Sequence, residues 1–260
     1  MPAGELIVGL FFGFVIAVVT APVGVSGAVF LLPVQLDLLD VPSPAVTPTN
    51  LLFNVVATPG ALLRYRAQGQ RPGELTRWML VGTIPGVIVG AVIRVLFVPD
   101  VRAFRLVAAG VLLPIGVWLT IRAMRPHRVS RRPPLPRRWV SVIGGVVGVA
   151  AGLYGIGGGS LLAPILVATG LSVATVAPAA LTATLVTSVV GALTFALLAL
   201  VAPGAVAPEW VLGLVCGLGG LAGGYVGARL SRRLPERALT LLLGLTATAL
   251  AIFYVVQALR

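Results

Sequence analysis

The chain has 260 residues, of which 58% are hydrophobic and only 10% are charged, and its formal net charge is +12. This composition excludes an ordinary soluble domain, in which about a quarter of the residues are charged, and indicates an integral membrane protein. All 19 basic residues are arginines that flank the apolar spans, so we expect no nucleic-acid partner. The single cysteine and the single histidine exclude an intrachain disulfide, and we expect neither a metal site nor a cofactor.

Eight apolar segments follow one another along the chain. Six are uninterrupted and suit membrane helices of roughly 20 residues; they lie at 45–63, 78–99, 103–121, 173–202, 210–228 and 238–259. The other two, 6–36 and 139–168, are interrupted by glycine. The pattern predicts an all-α integral membrane protein that crosses the cell membrane several times.

The run Ala151–Leu166 contains five glycines inside an apolar stretch. Each interior glycine costs a helix roughly 1 kcal/mol relative to alanine, so the helix should break there. Unwound backbone at membrane depth is tolerated where it is buried in protein or lines a polar cavity. The N-terminus of the following half-helix would favour an anion. We therefore expect the substrate at this break; close helix packing through small residues is the alternative.

The glycine breaks also align the two halves of the chain. At a shift of 131 residues, Gly24–Gly27 falls on Gly155–Gly158 and Pro33 falls on Pro164. With one residue less, 46–48 falls on 176–178. The sequence therefore predicts two homologous repeats, 1–124 and 139–260, joined by the basic, proline-rich linker 125–138 into one membrane domain.

The arginines favour one topology of these repeats. If each glycine-broken segment is a re-entrant hairpin, loops 64–77, 122–138 and 229–237 share one side with fifteen arginines against four. Eight complete crossings would give twelve against seven, so the positive-inside rule favours hairpins. The expected hairpin helices, Leu6–Val19 and Val29–Leu39, are also too short for a roughly 30 Å core. Each half is then a hairpin plus three transmembrane helices, the halves are inverted, and both termini lie outside the cytoplasm.

Polar side chains follow each hairpin on the next span. Thr47, Asn50 and Asn54 share one helical face, as do Thr184, Thr187 and Ser188. An amide in hydrocarbon needs a partner, so the two asparagines indicate a polar cavity or interhelical hydrogen bonds. We predict no buried arginine, which suits an anion that must be released easily. The predicted substrate-binding residues are Gly24, Ser26, Gly27, Thr49, Asn50, Asn54, Gly155, Gly157, Gly158, Gly159, Ser160, Thr184, Thr187 and Ser188.

A glycine-broken helix followed by an apolar run and a proline, intact at Gly152–Pro164 and degenerate at Pro22–Gly27, resembles the sulfite exporter TauE/SafE family of small membrane permeases. The resemblance spans nearly the whole chain. It implies movement of small sulfur-containing or organic anions such as sulfite and sulfoacetate. The first half departs from the family pattern in carrying fewer glycines and Thr49-Asn50 where a Thr-Ser pair is common.

The leading hypothesis is a permease that holds a small anion near the midplane, between the two hairpin tips. A passive anion channel shares these features and remains an alternative. A membrane-embedded enzyme is disfavoured because we find no nucleophile–base pair and no metal cluster in the sequence. No carboxylate lies at mid-span to relay protons. The expected partners are the anion, the lipid bilayer and a second copy of the chain in a homodimer.

Overall fold

The computed structural model describes residues 3–70, 73–97, 101–125, 136–169, 171, 173–201, 207–231, 233 and 235–259, and these residues form helices and no strands. The helices are α1 (Ala3–Thr20), α2 (Ala28–Pro33), α3 (Ser43–Ala67), α4 (Glu74–Leu96), α5 (Val101–Met124), α6 (Arg137–Tyr154), α7 (Gly158–Ala168), α8 (Val173–Leu198), α9 (Trp210–Leu230) and α10 (Glu236–Leu259). A 3₁₀ turn, Ala21–Val23, extends α1, and a π-helical turn, Val34–Leu38, extends α2. The predicted all-α fold is confirmed, while residues 126–135 of the linker lie outside the described residues.

Four of the described helices are long and apolar enough to cross a membrane: Ala3–Val23, Glu74–Leu96, Thr175–Leu198 and Trp210–Leu230. Large apolar side chains are exposed along them, as expected for a surface that faces lipid. Two shorter apolar helices, Ala28–Leu38 and Gly158–Val167, follow the two breaks. The chain is therefore a helical membrane protein.

The expected length of the first helix is wrong. A helix over Leu6–Val19 would be too short to cross, whereas α1 begins at Ala3 and its 3₁₀ turn reaches Val23, about 30 Å along the axis. Gly9 and Gly13 do not break α1 because α9 packs closely against both. Pro22 lies in the short 3₁₀ turn, where a proline lacking its N–H is tolerated.

Both predicted glycine breaks are confirmed, and they have the same backbone conformation. Gly24 ends the first arm with φ 74° and ψ 19°. Gly155 ends α6 with φ 74° and ψ 23°, and its N–H donates to Ala151 O at 2.8 Å. This left-handed conformation costs a residue with a Cβ roughly 1–2 kcal/mol. Glycine at these two positions therefore lets the chain leave one helix and begin the next.

Glycines also bring helices of the two halves into close contact. A methyl group on Gly219, Gly223 or Gly227 of α9 would lie 2.1, 2.2 or 2.4 Å from the carbonyl oxygens of Leu10, Phe14 and Val18 in α1, respectively. The same contact recurs between α4 and α6. A methyl group on Gly82, Gly86 or Gly90 would lie 1.9, 2.4 or 2.2 Å from the carbonyl oxygens of Ser141, Gly145 and Val149. Side chains at these positions would push the helices apart.

These contacts also give the directions of the helices. Along both pairs the residue numbers rise together, so α9 runs parallel to α1 and α4 runs parallel to α6. Between α5 and α10, Gly116 approaches Thr248 while Gly244 approaches Thr120, so these two helices are antiparallel. Helices α3 and α8 are antiparallel as well, because Leu51 meets Gly191 at one end and Ala61 clusters with Leu181 at the other.

Candidate functional site

The two helix breaks are joined by a hydrogen-bonded network of buried polar groups. Just after the first break, the backbone N–H of Ser26 donates to Ser160 Oγ at 2.9 Å. Ser160 Oγ lies 3.0 Å from Thr184 Oγ1, which brings in α8 of the second half. The Ser26 hydroxyl donates to Asn54 Oδ1 on α3 and accepts from the N–H of Ala28 at 3.0 Å. Ser26, Asn54, Ser160 and Thr184 are therefore one cluster, which we call the break network.

Asn54 presents an unsatisfied donor within this network. Its Oδ1 accepts from Ser26, whereas its Nδ2 is buried and has no hydrogen-bond partner among the described residues. A buried donor left without a partner costs roughly 1–3 kcal/mol. Such a group suits a site in which an acceptor, such as an anion oxygen or a water, completes the bonding.

Asn54 and Ser26 line a small cavity between α1, α3, α8 and α9. Its other polar lining residues are Thr20 and Thr58, so its described lining carries no charged side chain. Gly27, Gly220 and Gly224 supply part of the wall. The cavity volume is about 20 Å³, which holds about one water molecule. A larger solute requires the surrounding helices to move apart.

Asn50 has a different environment from Asn54, one turn away. Its Nδ2 donates to the carbonyl of Ala28 at 2.9 Å, which fixes the start of α2 against α3. Its Oδ1 is buried without a described partner. Asn50 is absent from the cavity lining. Of the two alternatives that the sequence left open for both asparagines, the amide of Asn50 therefore makes the interhelical bond.

The second break is held against α8 by side-chain hydroxyls. The N–H of Gly158 donates to Thr187 Oγ1 at 2.9 Å. A methyl group on Gly157, whose φ is +73°, would lie 2.6 Å from Thr184 Cγ2 and 2.9 Å from Ser188 Oγ. Ser188 Oγ itself is buried and has no described partner. A methyl group on Gly159 would lie 1.9 Å from Ala180 O. The three glycines thus allow α7 to start in direct contact with α8.

Of the predicted site residues, Thr49 lies apart from the rest. Its hydroxyl donates to Ala45 O at 2.7 Å and accepts from the N–H of Glu209 at 2.9 Å. It therefore joins α3 to the segment before α9. The other predicted side chains lie in or against the break network, and Gly24 and Gly155 form the breaks themselves.

The expectation that no arginine is buried is wrong. Arg94 lies in the last turn of α4, inside the helix and only 1% exposed. Its Nε donates to Thr47 Oγ1 at 3.3 Å, and Thr47 Oγ1 donates to the carbonyl of Leu153 at 3.3 Å. Leu153 is two residues before Gly155. A sequence position near the end of an apolar span suggests a loop, whereas packing against α3 buries the residue.

Tyr65 performs a related role at the first break, although its sequence position does not indicate one. Its hydroxyl donates to the carbonyls of Ala21 at 3.0 Å and Pro22 at 3.2 Å. The last carbonyls before each break would otherwise lack partners. Tyr65 bonds those of the first break, and Thr47, held by Arg94, bonds one before the second break. A tyrosine at the end of an apolar span gives no sequence signal for this role.

The chemistry available at the break network is hydrogen bonding by neutral groups. Within the described residues, no group of three or more histidine, cysteine or acidic side chains could hold a metal ion. Hydroxyls, an amide and backbone N–H groups converge from both halves, and the unsatisfied end of Asn54 is a donor. This arrangement can bind and release an oxygen acceptor.

The chain matches the family model described as "Sulfite exporter TauE/SafE" over residues 9–254. The match includes both breaks and the break network. No curated protein and no solved structure matches the chain. Because the family model covers almost the whole chain, the protein belongs to the sulfite exporter TauE/SafE family.

Proposed function

We propose that the protein is a permease of the cell membrane that moves a small anion, such as sulfite or a related sulfur-containing or organic anion. Membership of the family supports the transporter class. The observation that carries the site is Asn54 Nδ2, a buried donor with no described partner in a cavity lined by Ser26. We assign the anion to the break network, where it accepts a hydrogen bond from this amide.

The binding energy comes from hydrogen bonds between the anion and neutral donors. The described cavity lining has no charged side chain, and Arg94 is engaged with Thr47 near the second break. Hydrogen bonds to a charged group contribute roughly 1.5–3 kcal/mol each, so a few neutral donors give specific but reversible binding. A permease needs this balance, because an anion that is bound too tightly is not released.

The size of the cavity supports a carrier over an open channel. About 20 Å³ accommodates one water molecule and no multi-atom anion. The anion therefore enters a state in which α1, α3, α8 and α9 have separated around the breaks. Such a gated step limits the flux per molecule and makes it saturate with substrate.

The two halves are, in this proposal, inverted repeats. Helix α9 packs on α1 as α4 packs on α6, and the residues contacted in α1 and α6 are 131 positions apart, as Leu10 and Ser141 are. A two-fold axis in the membrane plane makes equivalent helices antiparallel. The antiparallel pairs α3 with α8 and α5 with α10 support that axis. Discontinuous helices that meet near the midplane are typical of transporters with inverted repeats.

The re-entrant arrangement of each broken segment is part of the same proposal. Helices α1 and α3 both run parallel to α9, so the chain must return toward its starting side between them. The short helix Ala28–Leu38 makes that return. The linker and loops 64–77 and 229–237 then lie in the cytoplasm with most of the arginines, and both termini lie outside.

The experiment is sulfite flux in proteoliposomes, with radiolabelled sulfite on one side and increasing total concentrations. We expect a flux that saturates and that competing sulfur and carboxylate anions reduce according to their fit. A flux that rises linearly without saturation would favour the channel. No flux of any tested anion, with protein that is folded and correctly inserted, would contradict the proposed function.

A further inference from the structure

An open groove runs along α4 where this helix faces α8, away from the break network. Its volume is about 680 Å³. Leu80, Val81, Ile84 and Pro85 form its apolar length, Thr182 lies on its α8 side, and Gly73, Thr76 and Arg77 form one end. From Thr76 to Pro85 the helix rises about 14 Å. The groove therefore reaches from the start of α4 into the apolar part of the helix.

We propose that this groove binds one anionic phospholipid, with its phosphate at Arg77 and Thr76 and an acyl chain along Leu80–Pro85. The phosphate end is argued from two observations. Arg77 is exposed at the mouth, and the Thr76 hydroxyl is buried, lines the groove and has no described hydrogen-bond partner. A phosphate oxygen can accept from both side chains.

The nearest acidic side chain does not oppose a phosphate there. Glu74 is in the first turn of α4, and its carboxylate is paired with Arg137 at 2.9 Å. Arg138 follows at the start of α6 and is exposed. The end of the groove is therefore electropositive. Basic clusters beside membrane helices attract anionic headgroups by about 1 kcal/mol per arginine near the surface.

The acyl chain is argued from a comparison of the two halves. The glycines of α4 and α9 that contact α6 and α1 differ by 137 in residue number, as Gly82 and Gly219 do, which places Gly213 at the position of Thr76 and Gly217 at that of Leu80. Against α9, Leu52 and Val56 of α3 fill this space: methyl groups on Gly213 and Gly217 would lie 2.8 and 2.5 Å from them.

The corresponding space beside α4 has no such filling. One residue less than the shift of 131 places Thr182 at the position of Leu52, and the groove opens beside it. An apolar groove that opens sideways on a membrane helix is filled by lipid, because an empty one forfeits the contacts of its lining atoms. An acyl chain therefore occupies the place that Leu52 and Val56 occupy in the other half.

The test is lipid titration of the detergent-purified full chain, followed by native mass spectrometry. Phosphatidylglycerol and phosphatidylcholine with the same acyl chains are the probes, and glycerol 3-phosphate is the soluble headgroup control. We expect one phosphatidylglycerol to bind about five- to tenfold more tightly than phosphatidylcholine, and glycerol 3-phosphate to remain unbound. Arg77→Gln should remove that preference, and Arg77→Lys should retain most of it.

Two further variants identify the site. Arg66→Gln removes another exposed arginine, at the end of α3, and should leave the preference unchanged. Thr182→Leu supplies the side chain found at the equivalent position and should weaken both lipids, because it fills the groove. Equal losses in Arg66→Gln and Arg77→Gln would overturn the proposal in favour of diffuse surface charge. Binding of glycerol 3-phosphate or sulfite that depends on Arg77 would overturn it in favour of a vestibule for soluble anions.

Discussion

Gly24 and Gly155 have the same φ of 74°, and each contacts the helix that follows the other break. A methyl group on Gly24 would lie 2.6 Å from Ala177 Cα in α8, and one on Gly155 would lie 2.5 Å from the carbonyl oxygen of Thr47 in α3. Thr47 and Ala177 are 130 residues apart, and the two glycines are 131 apart. Each half of the chain therefore places its break against the other half, and the break network forms where they meet.

The first prediction concerns these two glycines. Gly24→Ala and Gly155→Ala should each lower the melting temperature of the detergent-purified protein strongly, because a methyl group meets backbone atoms of the other half and φ is positive. Gly69→Ala is the matched control: its φ is +80°, and no atom lies within 4 Å of the place its methyl group would take. The control should cost only the conformational penalty of roughly 1–2 kcal/mol. Equal losses in all three variants would mean that the contact between halves contributes nothing.

The second prediction concerns Arg94. Arg94→Met removes the donor to Thr47 Oγ1 and should lower the free energy of unfolding by roughly 1.5–3 kcal/mol. Arg102→Met, at an exposed arginine of α5, should have little effect. In a double-mutant cycle with Thr47→Val, the two losses should be non-additive, because both variants break the same contact. Additive losses would show that Arg94 stabilises the protein without Thr47.

A third prediction concerns topology. Reporters that are active only outside the cytoplasm should be active when fused after Arg260 and inactive when inserted into residues 126–135. The antiparallel pairs α3 with α8 and α5 with α10, together with the distribution of arginines, require this result. A C-terminus on the same side as the linker would contradict the inverted repeats. The break network and its hydrogen bonds would then need a different axis of symmetry.

The sequence predicts much of this architecture because glycine and proline mark positions that other residues cannot occupy. Gly24 and Gly155 are identifiable at a shift of 131, and the structure gives both the left-handed conformation. The correspondence between Gly82 and Gly219 is harder to find, because the second half has gained residues between its break and α9. The contacts with Ser141 and Leu10 make this correspondence visible.

Side-chain environments are harder to predict than helices. Helical spacing groups Asn50 with Asn54 on one face, but it does not say which neighbouring helix each amide meets. The structure pairs Asn50 with Ala28 O and leaves Asn54 at the cavity. Arg94 resembles a loop residue in the sequence because charges usually flank spans, and its burial depends on a hydroxyl 47 positions earlier in the chain.

The measurement that tests the anion site most directly is the equilibrium Kd for sulfite in Asn54→Leu and Asn50→Leu, with melting temperatures on the same samples. Asn54→Leu should weaken binding by about one to two orders of magnitude, because a hydrogen bond to a charged group contributes roughly 1.5–3 kcal/mol. Asn50→Leu should lower the melting temperature, because it frees Ala28 O, and should leave the Kd of the folded protein near the wild-type value. An unchanged Kd in Asn54→Leu would contradict the assignment of the anion to the break network.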